Sequence, residues 1–196
     1  MDLYDCHGHR KYLTATERKA FLEAASTFAP EIETFCGVLA HSGCRISEAL
    51  ALTTDRVDLS DGLLIFECLK KRRKGVYRAV PVPPAFLAQL DRVHQITAVR
   101  LDLDVARAVP LWTWRRTTAW RRICEVMETA GISGLHASPN GLRHGFAIRA
   151  VSTGVPLNMA RRWLGHASIA TTAIYTEAMG DEERLLAARL WEETCA

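Results

Sequence analysis

The sequence has no run of about 18 apolar residues, so no segment reads as a bilayer-spanning helix. Its start, Met1-Asp2-Leu3-Tyr4-Asp5-Cys6-His7, lacks the positive stretch and apolar core of a secretory signal. The six cysteines form no C-x-x-C pair and keep no regular spacing, which predicts free thiols in a reducing compartment. Cys6, His7 and His9 stand close together but have no second ligand cluster, and no metal is expected there. Repeats and Gly/Ser- or Pro-rich linkers are missing, which favours one domain. The chain also lacks G-x-x-x-x-G-K-[ST], a G-x-G-x-x-G after a strand, H-E-x-x-H and G-x-S-x-G. An enzyme built on this sequence must therefore draw on Arg, Lys, His and Tyr. The expectation is a soluble, cytoplasmic protein with no membrane association.

What is present is segregated charge. Its 25 basic and 22 acidic residues give a net charge of only +3 over 196 residues. Lys70-Lys71-Arg72-Arg73-Lys74 and Arg78, however, put six cations into nine residues with no acid among them. Arg115, Arg116, Arg121 and Arg122 form a second cluster, and Arg143, Arg149, Arg161 and Arg162 a third. Acid collects near the other end, in Asp181-Glu182-Glu183. Three basic clusters in one small domain point to a polyanion, and to nucleic acid first.

Periodicity predicts a mainly α protein with a small antiparallel β-sheet. Thr14 or Thr16 caps a first helix carrying Phe21, Leu22 and Ala25; Pro30 breaks it, and a second apolar stretch runs from Ile32 to Leu39 and ends at Gly43. Ser47 to Leu52 reads as another helix. Residues 62–69 and 75–82 read as two strands, with the cationic residues 70–74 as the turn between them. Ala85 to Val99 is expected as one helix, Arg100 to Pro110 as a loop, and Thr117 to Ala130 as a helix. Ser138-Pro139 opens a helix to about Ser152, Pro156 starts another that closes at Gly165, and Ser168 caps one running past Tyr175. Asp181 to Trp191 is a final amphipathic helix. Trp112, Trp114 and Trp120, interleaved with arginines, are expected as core and rim packing, and Trp163 as helix packing.

Arg45 sits where a Gly43 turn feeds a helix, a place where a guanidinium and backbone N–H groups together suit a phosphate. Arg143 lies early in its helix; His166 and Tyr175 follow. Two arginines, a histidine and a tyrosine make a phosphoryl-transfer set in which cations hold the charge while a phenolate attacks.

At these residues the chain resembles the catalytic domain of the tyrosine recombinases, the phage-integrase family of site-specific recombinases. The matching motifs are G-C-R-I-S-E-A-L (43–50), the basic hairpin ending V-P-V-P (80–83), S-P-N-G-L-R-H-G-F-A (138–147), L-G-H-A-S-I-A-T-T (164–172) and Tyr175. On this resemblance residues 1–10 are an N-terminal tail and 11–196 the catalytic domain with its C-terminal helix. It implies that Tyr175 attacks a phosphodiester of double-stranded DNA, forming a 3′-phosphotyrosyl link and freeing a 5′-hydroxyl. Arg45 and Arg143 would clamp the non-bridging oxygens, and His166 would donate a hydrogen bond. Lys70, with Lys71 as runner-up, would protonate the leaving 5′-oxygen. Lys71, Arg72, Arg73 and Lys74 would contact backbone phosphates. No cofactor, ATP or metal is implied, because bond energy is kept in the covalent link.

Two departures stand out. The family pattern H-x-x-R reads Asn140-Gly141-Leu142-Arg143 here, and an amide donates hydrogen bonds but cannot shuttle a proton. Either His166 or Lys70 carries the proton work, or the enzyme is weakened. His136, one turn earlier, reads as a loop histidine, and His144 as packing or supporting the site from behind. Only about ten residues precede the first helix, where most members carry a core-binding domain, so the chain looks either like the small, clamp-less recombinases or like a truncated piece of a longer member. Self-association as a dimer or tetramer on DNA through residues 181–191 is expected, and an accessory protein is a further expected partner. The alternatives are a catalytically weak or inactive DNA-binding accessory protein, and a relaxing enzyme resembling type IB topoisomerases.

Overall fold

Thr14, rather than Thr16, opens the first helix. In the computed structural model, which describes residues 3–68, 75–102, 108–166 and 168–176, the Thr14 hydroxyl accepts from the Glu17 amide at 3.2 Å. The Glu17 carboxylate in turn accepts from the Thr14 amide at 2.9 Å, and this reciprocal cap starts α1 (Ala15–Ala25). Pro30 sits at the first position of α2 (Pro30–Ser42), where its missing N–H has no intrahelical partner to lose. α2 is buried along nearly its whole length through Ile32, Phe35, Cys36, Val38 and Leu39, as suits a helix surrounded by others. It ends at Gly43, whose φ of 60° is left-handed, and the short α3 (Ile46–Leu50) follows.

The sheet is a three-stranded antiparallel meander of β1 (Val57–Asp58), β2 (Leu63–Glu67) and β3 (Tyr77–Pro81), in that order. Strand alternation turns Leu64 and Phe66 of β2 inward, opposite Val80 and Arg78 of β3. Residues 70–74, expected as the turn between these strands, lie outside the described residues. The ladder reaches their flanks, with the Cys68 amide donating to the Val76 carbonyl at 2.8 Å.

One expected helix is two. The chain breaks at Gln95, left-handed at φ 51°, into α4 (Pro84–His94) and α5 (Ile96–Leu101). The Asp91 carboxylate accepts from both the amide and the hydroxyl of Thr97 at 2.7 Å, capping the new start, while Ile96 is buried completely. Arg100 thus belongs to a helix rather than a loop, and its guanidinium donates to the carbonyls of Thr54 and Val57. α6 (Arg116–Thr129) begins one residue before its expected start.

α7 (Pro139–Ser152) follows its sequence signals: the Ser138 hydroxyl accepts from the Gly141 amide at 3.2 Å, with Pro139 first in the helix. α8 (Leu157–Leu164) closes at Gly165, at φ 67°. Ser168 does accept from the Ala170 amide, but α9 (Ala170–Ala173) is a single turn, and Tyr175 lies in the 3-10 turn Ile174–Thr176 that follows it. The expected helix at 181–191 lies outside the described residues.

The main core joins α1, α2, α4, α6 and the sheet. Trp112 takes part in it, its indole donating to the Glu31 carbonyl at 2.8 Å, and Trp114 and Trp163 pack at its margin. Trp120 is half exposed. A second, smaller cluster gathers Leu3, Ala147, Ile148, Leu164 and Tyr175. Leu3 reaches it because residues 3–11 fold back on themselves, with a Tyr4–Arg10 bridge and the Lys11 amide donating to the Leu3 carbonyl at 2.8 Å.

Candidate functional site

Close approach of α7 to its neighbours builds the site. A Cβ on Gly141 would lie 1.8 Å from the His136 carbonyl oxygen, and one on Gly145 would lie 2.5 Å from that of Leu13. These two glycines, one turn apart, seat one face of α7 against backbone. Gly43 serves the other contact: besides its left-handed φ, a Cβ there would stand 2.4 Å from the Phe146 ring.

Arg143 uses this proximity. One terminal nitrogen donates to the Gly43 carbonyl at 2.7 Å and the other to the Leu164 carbonyl at 2.6 Å, tying α7 to the α2–α3 junction and to the end of α8. It is 3% exposed, and burial, then the nearby Arg45 charge, push its pKa down to about 10, so it stays cationic at neutral pH. Arg45 precedes α3 and is more open, its side chain 26% exposed.

Two further charged residues complete the cluster, and neither was singled out as a site residue. Glu48 accepts from the Arg45 amide at 2.8 Å and its guanidinium at 3.0 Å, and from both terminal nitrogens of Arg78 at 2.7 and 3.1 Å. Arg78 also donates to the Trp163 carbonyl at 2.6 Å, linking β3 to α8. Burial works against the Glu48 carboxylate, but the Arg78 and Arg45 contacts more than offset it, and its pKa falls below the ordinary value. Counted in sequence with the hairpin cations, Arg78 is instead an inward residue of β3. The signal was its spacing two residues before the buried Val80.

His166 follows Gly165, with Nδ1 2.9 Å from the Thr172 hydroxyl and its ring nearly parallel to that of Tyr175, 6.2 Å between centroids. Burial first, then Arg143 and Arg45, lower its pKa to about 4. Tyr175 itself is wholly buried. Burial raises its pKa, while Arg143 and Arg45 both act to lower it, which puts its hydroxyl within the field of both guanidiniums. The hydroxyl is 3.0 Å from Nδ1 of His144. His144, read from sequence as packing or supporting from behind, therefore meets the tyrosine hydroxyl directly. Its own pKa is lowered to about 4, by burial and then by Arg143 and Lys11.

Asn140 is exposed in the first turn of α7, on the face that carries Arg143 and His144, and its amide has no hydrogen-bond partner among the described residues. His136 pairs with Glu17 at 3.2 Å, away from this cluster. Lys70, Lys71, Arg72, Arg73 and Lys74 lie outside the described residues. The chain just before them does reach the cluster, since Cys68 Sγ lies 3.5 Å from an Arg78 nitrogen. Among the described residues, Arg45 and Arg78 are ion-paired to one carboxylate, Glu48, while Arg143 gives its terminal nitrogens to backbone carbonyls. Such an excess of partly desolvated guanidinium charge suits an anion.

Residues 11–181 match the profile of the phage integrase family. The chain is 33% identical over 152 residues to tyrosine recombinase XerD of Mycobacterium leprae, covering 71% of this chain and 45% of that protein. XerD of Pseudomonas aeruginosa is 31% identical over 163 residues, 76% of this chain and 52% of that protein. The chain thus spans about half the length of the curated relatives it matches. Among solved structures, XerA recombinase superposes with a TM-score of 0.72 at 28% identity, over 91% of this chain and 64% of that one. The catalytic domain of bacteriophage HP1 integrase shares the fold, with a TM-score of 0.64 at 19% identity over 85% of this chain and 86% of that one.

Proposed function

The chain belongs to the phage integrase family, and on that premise we propose that it is a site-specific recombinase that cleaves and rejoins double-stranded DNA through a 3′-phosphotyrosine intermediate. The observation that carries this reading is the packing of Tyr175 against the arginine-bearing helix: its hydroxyl is 3.0 Å from His144, the neighbour of Arg143 on α7, and its ring is stacked on His166.

In this reading Arg45 and Arg143 hold the non-bridging oxygens of the scissile phosphate. Arg143 has five N–H groups and two are given to carbonyls, which leaves donors for the phosphate on an already fixed guanidinium. Fixed, desolvated charge of this kind stabilises the pentacoordinate state without reorganising as it forms. His166, neutral at pH 7, donates a hydrogen bond. Lys70, assigned by resemblance, protonates the departing 5′-oxygen. A second 5′-hydroxyl then attacks the phosphotyrosyl link and the bond energy returns to DNA, so the cycle calls for neither ATP nor metal. Since Tyr175 is fully buried, duplex binding must give the scissile phosphate access to its hydroxyl.

Self-association on DNA through residues 181–191 and help from an accessory protein belong to the same proposal, as does a cytoplasmic location. No helix among the described residues is long and apolar enough to cross a membrane.

That burial, together with Asn140, favours a second reading as a DNA-binding accessory protein of weak or absent catalysis. SDS-quenched trapping separates the two. Wild type with duplex from the ends of its own element should leave a protein–DNA adduct, in EDTA and without ATP, and Tyr175→Phe should leave none. DNA binding without an adduct from either protein supports the accessory reading. Plasmid relaxation without recombinant products would identify a relaxing enzyme like the type IB topoisomerases.

A further inference from the structure

We propose that His144 is a catalytic residue of this site, the group that takes the proton of the Tyr175 hydroxyl as the phenol attacks phosphorus. The inference rests on the recombinase reading above and deepens it.

Three observations carry it. The first is contact: Nδ1 of His144 stands 3.0 Å from the Tyr175 hydroxyl, within hydrogen-bond reach of the proton that must leave. The second is seclusion. Tyr175 is 0% and His144 4% exposed, so a side chain rather than bulk water stands next to the proton of the phenol. The third is elimination among the neighbours. Asn140 is exposed and cannot accept a proton from a phenol at neutral pH. His166 has its Nδ1 on the Thr172 hydroxyl and meets Tyr175 ring face to ring face.

The step balances. The Tyr175 O–H bond breaks and an N–H bond forms at His144 Nδ1; the phenol oxygen bonds phosphorus, and the bond from phosphorus to the 5′-oxygen breaks. That oxygen leaves with a proton from the hairpin lysine. For Nδ1 to accept, the neutral imidazole carries its own proton on Nε2.

The groups facing His144 set the timing. Cationic Arg143, beside it on α7, Lys11, from the N-terminal segment, and the chain's amino group oppose its protonation, with neutral His166 and Tyr175 as further neighbours. A phosphate held by Arg45 and Arg143 brings negative charge into this field and raises the proton affinity of the imidazole. Bond formation to phosphorus simultaneously acidifies the phenol. Proton transfer is thereby favoured with DNA in place and disfavoured without it. Because Arg143 pins α7 at two carbonyls, the phosphate clamp and the proton acceptor sit on consecutive residues of one anchored helix.

The test uses the full chain and two nicked duplexes from the ends of its own element, one ordinary and one with sulfur replacing the bridging 5′-oxygen at the scissile phosphate. A thiolate departs without a proton, so the sulfur substrate rescues loss of a general acid such as Lys70→Ala but not loss of an acceptor at the tyrosine. His144→Asn keeps a polar atom near the Nδ1 position without basicity. It should slow adduct formation about 10²- to 10⁴-fold on both substrates, and its deficit should shrink as pH rises from 7 to 9 and hydroxide takes over. Wild-type rates for His144→Asn, rescue by sulfur, or a deficit equal at every pH would each overturn the proposal. Nitrogen-15 shifts of the histidines in the wild-type protein give a readout free of any folding defect: a bare Nδ1 on His144 is expected, and a protonated Nδ1 refutes the acceptor role. Failure of wild type to form an adduct on either duplex would instead remove the recombinase reading, and this inference with it.

Discussion

Removing the Glu48 carboxylate should be among the most damaging single changes in this domain. The Glu48 and Arg78 side chains are 1% and 3% exposed, and their fork of two hydrogen bonds at 2.7 and 3.1 Å is the ion pair that Arg78 makes. Glu48→Gln keeps the shape and removes the charge, stranding a guanidinium that has few other places to turn. Breaking a buried pair from one side costs about 3–5 kcal/mol, against a total stability on the order of 5–15 kcal/mol for a domain. For a chain of this size that is a fall in Tm of about 6–20 °C. Thermal and urea unfolding followed by circular dichroism provide the assay. Glu48→Gln/Arg78→Met, which removes both charges, should be more stable than Glu48→Gln alone, because desolvation is then no longer uncompensated. A loss under about 1 kcal/mol for Glu48→Gln, or a double variant at the sum of the two single losses, would refute this account of the cluster.

Stability should also fall in two stages as acid is added. His41, His144 and His166 have folded pKa values near 4 against an ordinary 6.5, so the unfolded chain binds more protons between those values and stability drops as pH falls through that window. Glu17, held near 2 by Arg10, and Glu48, also lowered, add a further loss below about 4.5; urea midpoints from pH 7.5 to 3 check both stages, and a flat profile above pH 5 would contradict the first. Gly141→Ala should cost at least about 2 kcal/mol, because the atom its Cβ meets is the His136 carbonyl oxygen, which cannot rotate aside; a Tm within 2 °C of wild type would show that α7 sits less tightly than described. In thiol labelling read by peptide mapping, Cys6 should react at once, whereas Cys36 and Cys44, buried and with pKa values pushed up (Cys44 to about 12), should react only on unfolding.

Much of the fold could be read in advance because its signals are local. Ser138-Pro139, Gly43 and Gly165 act through the conformation of their own few residues, and the structure places helix ends at each of them. Gln95 could not be read that way: a non-glycine residue at positive φ is held there by Asp91 capping Thr97 and by a buried Ile96. The site divides along the same line. Arg45, Arg143, His166 and Tyr175 stand in motifs whose order is visible in the chain. Glu48 with Arg78, 30 residues apart, and His144 with Tyr175, 31 apart, become partners only through packing. Burial also changed the meaning of Arg78, which composition assigns to a solvent-facing basic patch.

The two carbonyls gripped by Arg143 have a bearing on how the protein is made. Arg45 is synthesised about a hundred residues ahead of Arg143, and the Gly43 carbonyl beside it waits for a guanidinium 100 residues downstream. Contacts of such sequence separation close late, after the long intervening loop has been drawn in. A nascent or truncated chain ending at α6 therefore owns the Glu48–Arg78 pair but neither the second arginine nor the phenol. Tyr175 is translated after both arginines and 31 residues after His144, so the phenol is the last of these groups to join the cluster.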